Sequence, residues 1–252
     1  MRLLPKLNAN RRTILLSTWG LFTGLALLLI NAGVYSTLVG IRAELKNLPT
    51  IVSGGITTAY YAGFLLGSWY TLRALKQVGH IRVYAALASL LSASVLITGV
   101  YDSPLVWIIM RSSTGFCFAG LYVVAESWLN GRATNTFRGR LLAMYNVVTI
   151  GAYGAGQLLV FNFDARTLTG FAFAAVISSL AVIPVVMSEQ AATPAVENHT
   201  HITLRELAKI VPTGAGTILL VGLAHGGMLG MAVIYATREG LGVGRVGILI
   251  AA

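Results

Sequence analysis

The sequence has few of the residues on which a soluble or disulfide-bonded domain depends. Its single cysteine, Cys117, excludes a disulfide within the chain. Only 10% of the 252 residues are charged, and 8 of them are Asp or Glu. A soluble domain uses about 25% charged residues to cover its surface. These shortages exclude a fold in water.

Apolar runs make up most of the chain, since 56% of its residues are hydrophobic. Each run is near the roughly 20 residues that a helix needs to cross about 30 Å of hydrocarbon, and none has a carboxylate near its middle. In lipid the backbone must pair internally, and continuous apolar runs favour helices over the alternating strands of a barrel. We therefore predict an all-α membrane protein with spans at 14–35, 51–72, 83–100, 105–129, 141–161, 168–187 and 210–235.

The formal net charge of +10 follows the loops. With a cytoplasmic N-terminus, the outer loops hold only Arg42, Lys46, Arg166, Arg238 and Arg245, and the inner loops hold the larger group of Arg2, Lys6, Arg11, Arg12, Arg73, Lys76, Arg82, Arg132, Arg138, Arg140, Arg205 and Lys209. This is the bias that the positive-inside rule expects. We predict a multi-pass protein of the inner (plasma) membrane with its N-terminus in the cytoplasm, in contact with lipid and not with nucleic acid.

The longest polar stretch divides the chain. Residues 188–202 contain Pro194 and no apolar periodicity, which indicates a linker. Thr203 and Glu206 then have the spacing of a capping box at a helix start. We predict a six-helix bundle at 1–187, a cytoplasmic linker at 188–204 and the start of a second bundle at 205–252.

Several local motifs resemble those of the major facilitator superfamily. Residues 76–82, KQVGHIR, are similar to its D-R-x-G-x-x-R loop motif, although only Gly79 and Arg82 match. Arg111, Gly115 and Ala119 fit the R-x-x-x-G-x-x-x-A pattern of the fourth span. The segment 125–140, AESWLNGRATNTFRGR, resembles the YcaD-type subgroup of bacterial transporters.

The resemblance implies a transporter built from two six-helix halves, of which this chain holds the first half and one to two helices of the second. The chain therefore looks truncated at its C-terminus. The resemblance also implies a cytoplasmic gate, in which Glu126 pairs with Arg138 or Arg82 near the Gly79 loop. The alternative is that Glu126 is an exposed acid at the membrane surface.

Arg111 is the clearest ionisable side chain at membrane depth, where charge is costly and usually faces a bundle interior or an aqueous cavity. We interpret it as a fixed positive charge that attracts an anionic solute or keeps a nearby acid deprotonated. Snorkelling to the outer surface is the alternative. Fifteen residues separate Arg111 from Glu126, about 22 Å along a helix, so each needs a partner on another helix.

The neutral candidates for the solute cavity are Asn31 and Tyr35 in the first span and Asn146 and Gln157 in the fifth. The alternative is that these residues join helices, which is a common use of polar residues in lipid. His225, in the seventh span, has a side chain suited to proton coupling, and a neutral packed histidine is its alternative.

The sequence thus favours a secondary-active or facilitative transporter of a small solute that works by alternating access, with protons as a candidate coupling ion. No cofactor or metal site is expected, because His199 and His201 lie in a polar linker without further ligands. The alternatives are a non-transporting fragment, scaffold or sensor, and an intramembrane enzyme. The paired acids, Ser with His or Lys, or H-E-x-x-H motif that such an enzyme needs at membrane depth are missing from the sequence.

Overall fold

The computed structural model describes residues 4–132, 138–188, 206 and 209–239, and every element assigned in that part of the chain is helical. A 3-10 turn, Val160–Asn162, follows the fifth helix. The helices are α1 (Leu4–Leu45), α2 (Thr50–Val78), α3 (His80–Val100), α4 (Pro104–Arg132), α5 (Arg138–Leu159), α6 (Thr169–Leu180), α7 (Val182–Met187) and α8 (Pro212–Arg238). The all-α prediction is confirmed, and each predicted span corresponds to one helix or, for 168–187, to α6 and α7 in succession.

Among the described residues, four helical stretches are long and apolar enough to cross a membrane: Thr18–Leu45, His80–Val100, Pro104–Gly131 and Thr169–Met187. Helices α2 and α5 are as long as a span but carry more polar side chains. Helix α8 contributes a shorter apolar stretch, Pro212–Ala224. The two less apolar helices turn out to form the sides of a groove that is lined by tyrosines.

Side-chain contacts show how the helices run relative to one another. Along α3 and α4, Ser94 meets Ser113 and His80 meets Ser127, so the two helices are antiparallel. Along α2 and α4, Gly63 faces Ser112 and Gly67 faces Phe116, so these two helices are parallel. This alternation is what a chain that crosses the membrane back and forth must produce.

The helices of the bundle follow the spatial order α2, α4, α3, α6, α1, α5. Helix α1 is the most enclosed, because it packs on α5 on one side and on α6 and α7 on the other. Helices α1 and α4 meet only lightly, and α2 and α5 stand at the two ends of the order. A groove therefore lies between the pair α2/α4 and the pair α1/α5, and α8 contacts α1 and α2 beside it.

Glycines allow two of these helix pairs to touch through their backbones. On α2, a Cβ at Gly63 or Gly67 would overlap the backbone of α4, and a Cβ at Gly115 would overlap the carbonyl of Tyr60 in return. Gly33 of α1 and Gly156 of α5 meet in the same way. Small residues in such positions let membrane helices approach closely.

One residue, Gly79, joins α2 to α3. Its φ of 83° lies in the left-handed region, where a side chain would be strained. This explains why the loop motif 76–82 has a glycine at that point. The linker at 188–204 and the capping box of Thr203 and Glu206 fall almost entirely outside the described residues, so the predicted domain boundaries stay predictions.

Candidate functional site

Arg111 lies at the floor of the groove, between two tyrosine rings. Its Cζ is 4.9 Å from the ring centroid of Tyr35 on α1 and 5.4 Å from that of Tyr60 on α2. Both distances are within the roughly 6 Å of a cation–π contact. The guanidinium of one helix is thus held by the aromatic faces of two others, at the place where α1 and α4 come together.

No carboxylate pairs with Arg111 among the residues that the structure describes. Its Nε is buried and has no hydrogen-bond partner in the described part of the structure. The acid on the same helix, Glu126, is about 22 Å away along the axis. Rings offset part of the cost of placing this charge inside the bundle, but they leave its positive charge uncompensated.

Further aromatic side chains extend from Arg111 along the groove. The Tyr60 ring contacts Tyr61 edge-on at 5.3 Å and Phe64 at 6.2 Å, and Phe64 in turn lies 6.2 Å from Tyr122 of α4. Tyr153 of α5 lies within electrostatic range of Tyr60, Tyr61 and Tyr122. Tyrosines from both sides of the groove therefore converge on one region. We call Tyr60, Tyr61, Tyr122 and Tyr153 the tyrosine cluster.

The two candidates on α1 lie one turn apart on the buried face of the helix. Tyr35 shares a hydrogen bond of 3.0 Å with Thr98 of α3, which fixes the ring under Arg111. Asn31 is fully buried, and neither of its side-chain amide atoms has a partner among the described residues. A buried amide without a partner is costly, which sets Asn31 apart from a residue that merely joins helices.

The two candidates on α5 lie toward opposite ends of the helix and differ in burial. Gln157 is buried where α5 crosses α1 at Gly33, and its Oε1 has no partner in the described part of the structure. Asn146 is exposed, nearer the opposite end of α5. It is Tyr153, between them, that connects α5 to the site through a hydrogen bond of 3.1 Å shared with Ser36 of α1.

The ends of α2 to α5 that carry Arg73, Lys76, Arg82, Arg138 and Arg140 form what we call the basic end of the bundle. Here Glu126 accepts a hydrogen bond of 3.2 Å from the hydroxyl of Tyr145 on α5.

The two arginines expected to pair with Glu126 are placed differently. Arg138 donates to Asn130 at 3.2 Å, and Arg82 is exposed at the start of α3. Neither arginine forms an ion pair with Glu126 within the described residues. The predicted gate therefore stays a prediction, which concerns a conformation other than this one.

His80, next to Gly79, connects the loop motif to α4. Its Nε2 lies 3.0 Å from the hydroxyl of Ser127, and its ring packs edge-on against Trp128 at 5.8 Å. Ser127 and Glu126 are neighbours in sequence, so the contacts of α4 with α3 and with α5 meet in one turn. The sequence gives no sign of this pairing, because it depends on the register between α3 and α4.

At the opposite end of the bundle, the carboxylate of Asp102 pairs with two cations: one is in the last turn of α1, and the other directly follows that helix. Arg42 Nη2 and Lys46 Nζ are each 2.9 Å from one oxygen of Asp102. Arg42 also donates to the carbonyl of Gly99 at 3.1 Å and lies over the ring of Phe171. This cluster ties the end of α1 to the end of α3.

The side chain of His225, within α8, lies outside the described residues, as do His199 and His201. Among the described residues, no group of three or more His, Cys, Asp or Glu side chains is placed to hold a metal ion.

Sequence reasoning missed the part that Tyr60 and Tyr61 play. Their signal was available, since two adjacent tyrosines interrupt the apolar run of α2 on the turn before Gly63. The sequence alone does not show that the close contact of α2 and α4 brings these tyrosines beside Arg111.

The helix order, the glycine contacts and a charged groove define an all-α, multi-pass membrane protein. The chain is similar to proteins named "Uncharacterized MFS-type transporter YcaD" from Escherichia coli O45:K1 strain S88, O81 strain ED1a and strain K12 DH10B. Identity to each is 26% over 237 residues, which is 92% of this chain and 61% of the relative. The chain thus spans about three fifths of the length of these relatives. No protein-family model matches it.

The similarity covers nearly the whole chain, and it confirms the resemblance to YcaD-type transporters of the major facilitator superfamily that the loop and span motifs indicated.

Proposed function

We propose that this chain forms part of a transmembrane transporter that moves a small solute by alternating access, with the groove between α2/α4 and α1/α5 as one wall of the solute path. The observation that carries the proposal is Arg111, a cation held between Tyr35 and Tyr60 without a described counter-ion. The names of the relatives support the general role of a transporter.

The depth of Arg111 suits a binding site within the membrane. It is the eighth residue of α4, about 10 Å from the helix start at Pro104. Rings of α1 and α2 contact its guanidinium, and one turn from Tyr35 on α1 lies Asn31, whose amide has no described partner. A solute with negatively charged acceptor groups would satisfy the charge of Arg111.

Access to the site from the basic end would be controlled at Glu126. In this conformation its carboxylate is held by Tyr145, and Arg138 is 12 residues further along the chain at the start of α5. We propose that Glu126 exchanges Tyr145 for Arg138 or Arg82, close to the Gly79 turn, when this end closes. A charged pair formed on closure gives the closed state a differential contact, which any switch requires.

The proposed partners are the solute and the lipid bilayer. The basic residues at one end fit an inner-membrane protein with a cytoplasmic N-terminus, and they need no nucleic acid as an explanation. Proton coupling would fall to His225 of α8 or to a residue outside this chain, because the described acids lie at the helix ends.

Two other functions differ from transport in a measurable way. A scaffold or sensor would bind the solute without moving it across the membrane. An intramembrane enzyme would convert the solute, and the naming of the relatives as transporters supports a protein without such an activity.

The test is flux in liposomes, with the protein expressed from its complete reading frame and a panel of small polar and charged solutes loaded inside. We expect saturable efflux of some of these solutes. Arg111→Gln should abolish the efflux. Arg166→Gln should retain it, because this variant removes an exposed cation outside the groove, at the end of the bundle away from the basic end. Saturable binding without flux would indicate the sensor. Chemical conversion of a solute would indicate the enzyme, and flux that is equal in both variants would remove Arg111 from the path.

A further inference from the structure

The side chains around Arg111 select among solutes by both charge and shape. A single guanidinium is available, and its described neighbours in the groove are aromatic rings instead of further cations. We propose that the solute is a small aromatic monoanion, an arylcarboxylate, whose carboxylate binds Arg111 and whose ring packs between Tyr60 and Tyr153. This inference rests on the proposed function, because it names the substrate class of the same groove.

The charge of the site fits one negative charge on the ligand. Arg111 has no carboxylate partner among the described residues, and the two rings that contact it, those of Tyr35 and Tyr60, supply no negative charge. A bound monoanion would neutralise the site, whereas a phosphate or sulfate dianion would leave one charge uncompensated at membrane depth. The planar fork of arginine also matches the geometry of a carboxylate.

The rest of the site fits an aromatic ring. Tyr60 and Tyr61 meet edge-on at 5.3 Å on the α2 side, and Tyr61 is 38% exposed. On the α5 side, Tyr153 is held by its hydrogen bond to Ser36 and lies within electrostatic range of Tyr60. Aromatic pairs prefer the edge-on and tilted geometries that Tyr60 already shows with Tyr61 and Phe64, so a flat ligand ring beside Tyr60 would extend the same packing.

Tyrosine also suits a ligand that is apolar at one end and charged at the other. Each ring presents an apolar face, and its hydroxyl can donate to a carboxylate oxygen. Leucine or valine at the same positions would line a groove for a wholly apolar molecule. The tyrosine cluster, which contacts Arg111 through Tyr60, is therefore matched to an amphiphilic ligand.

The binding test uses three probes of similar size on the purified protein: benzoate, cyclohexanecarboxylate and benzamide. Benzoate shares its charge with the second probe and its ring with the third. We expect isothermal titration to give at least about tenfold tighter binding of benzoate than of either control, because each control lacks one of the two contacts. Tenfold corresponds to about 1.4 kcal/mol in binding free energy. Equal binding of cyclohexanecarboxylate would overturn the aromatic part, and equal binding of benzamide would overturn the anionic part.

Two variant pairs locate the contacts. Arg111→Gln should weaken benzoate binding about tenfold and leave benzamide binding unchanged, with Arg166→Gln as the unaffected control. Tyr153→Phe keeps the ring and should retain the preference for benzoate over cyclohexanecarboxylate, whereas Tyr153→Leu should abolish it. Near-UV circular dichroism of each variant shows whether it is folded. If folded Tyr153→Leu keeps the preference, the ring does not bind where we propose.

Failure of this inference is distinct from failure of the proposed function. Saturable flux of solutes without a preference for arylcarboxylates would leave the transporter standing and overturn the substrate class. Selective binding of benzoate without flux would support the substrate class and overturn transport.

Discussion

Arg42 and Asp102 are 2.9 Å apart and join the ends of α1 and α3, with the arginine side chain 7% and the aspartate side chain 45% exposed. An enclosed guanidinium thus depends on a carboxylate that is half open to its surroundings. Removing the acid leaves the buried charge with one carbonyl and one ring, because Gly99 and Phe171 are its other described contacts.

Asp102→Asn is therefore expected to lower the free energy of unfolding by about 1–2 kcal/mol, less than a fully buried pair would lose because Asp102 is half exposed. Thermal unfolding in detergent measures the change. Asp164→Asn at the same end is the control, since the amide retains the acceptor for the backbone N–H of Arg166. Equal effects of the two substitutions would show that Asp102 does not stabilise Arg42.

Gly63→Ala is expected to separate α2 from α4, because its Cβ would overlap the backbone of Ser112. Backbone cannot move aside as a side-chain tip can, so we expect a loss of about 1–3 kcal/mol in stability. Gly54→Ala, in open space on the same helix, should not lower stability, because alanine is the better helix former by about 0.5–1 kcal/mol. Similar unfolding temperatures for both variants would contradict the close contact.

Glu126→Gln and Tyr145→Phe are expected to act in opposite directions on access from the basic end. The first removes the charge needed to close the gate, and the second releases the carboxylate from its hydrogen bond so that it can pair with Arg138. A hydrogen bond worth about 1 kcal/mol shifts the equilibrium about fivefold. The rate of thiol labelling at Ala143→Cys, an exposed position on α5, measures access from the basic end. Glu126→Gln should raise this rate, and Tyr145→Phe should lower it.

The partner of Glu126 follows from charge exchange. Glu126→Arg with Arg138→Glu should recover part of the wild-type labelling rate, whereas the same exchange with Arg82 tests the second candidate. The gate role of Glu126 is wrong if Glu126→Arg and the arginine variants each label at the wild-type rate on their own, and if neither exchange changes that rate.

Single cysteines at the two ends of the bundle test the predicted orientation. In a Cys117→Ala background, Gly139→Cys at the basic end should be protected in intact cells from an impermeant thiol reagent. Arg166→Cys at the opposite end should react, since both positions are exposed in the structure. Permeabilised cells should label at both positions. The reverse pattern in intact cells would place the N-terminus outside.

The sequence predicted the spans well because a helix must match the membrane thickness, but it placed some ends incorrectly. The first run ends at Tyr35 by apolarity, yet α1 continues to Leu45. The extension buries Arg42, which is possible only because Asp102, 60 residues later, reaches it. The break of α6 and α7 at Ala181 does have a signal in the run 168–187, because Pro184 has no N–H to donate to the carbonyl of Leu180, where α6 ends.

The site was predictable in some of its residues, Arg111 and Tyr35 among them, but not in its contacts. Arg111 was recognised because charge at membrane depth is rare, and its separation from Glu126 follows from helix geometry alone. Its partners are rings on α1 and α2, which become neighbours of α4 only through the packing of the bundle. Gln157 and Asn146 share a helix with Tyr153, and only the structure shows which of the three reaches the tyrosine cluster.

The backbone contact between α2 and α4 determines which distances in the groove can change. No side chain stands between the two helices at Gly63, Gly67 and Gly115, so neither helix can slide or tilt without its backbone striking the other. Tyr60 lies on α2 and Arg111 on α4, so the two residues move together when this helix pair moves. Tyr153 belongs to α5, on the far side. Any closing of the groove around a solute therefore changes the spacing from Tyr60 to Tyr153 and leaves that from Tyr60 to Arg111 constant.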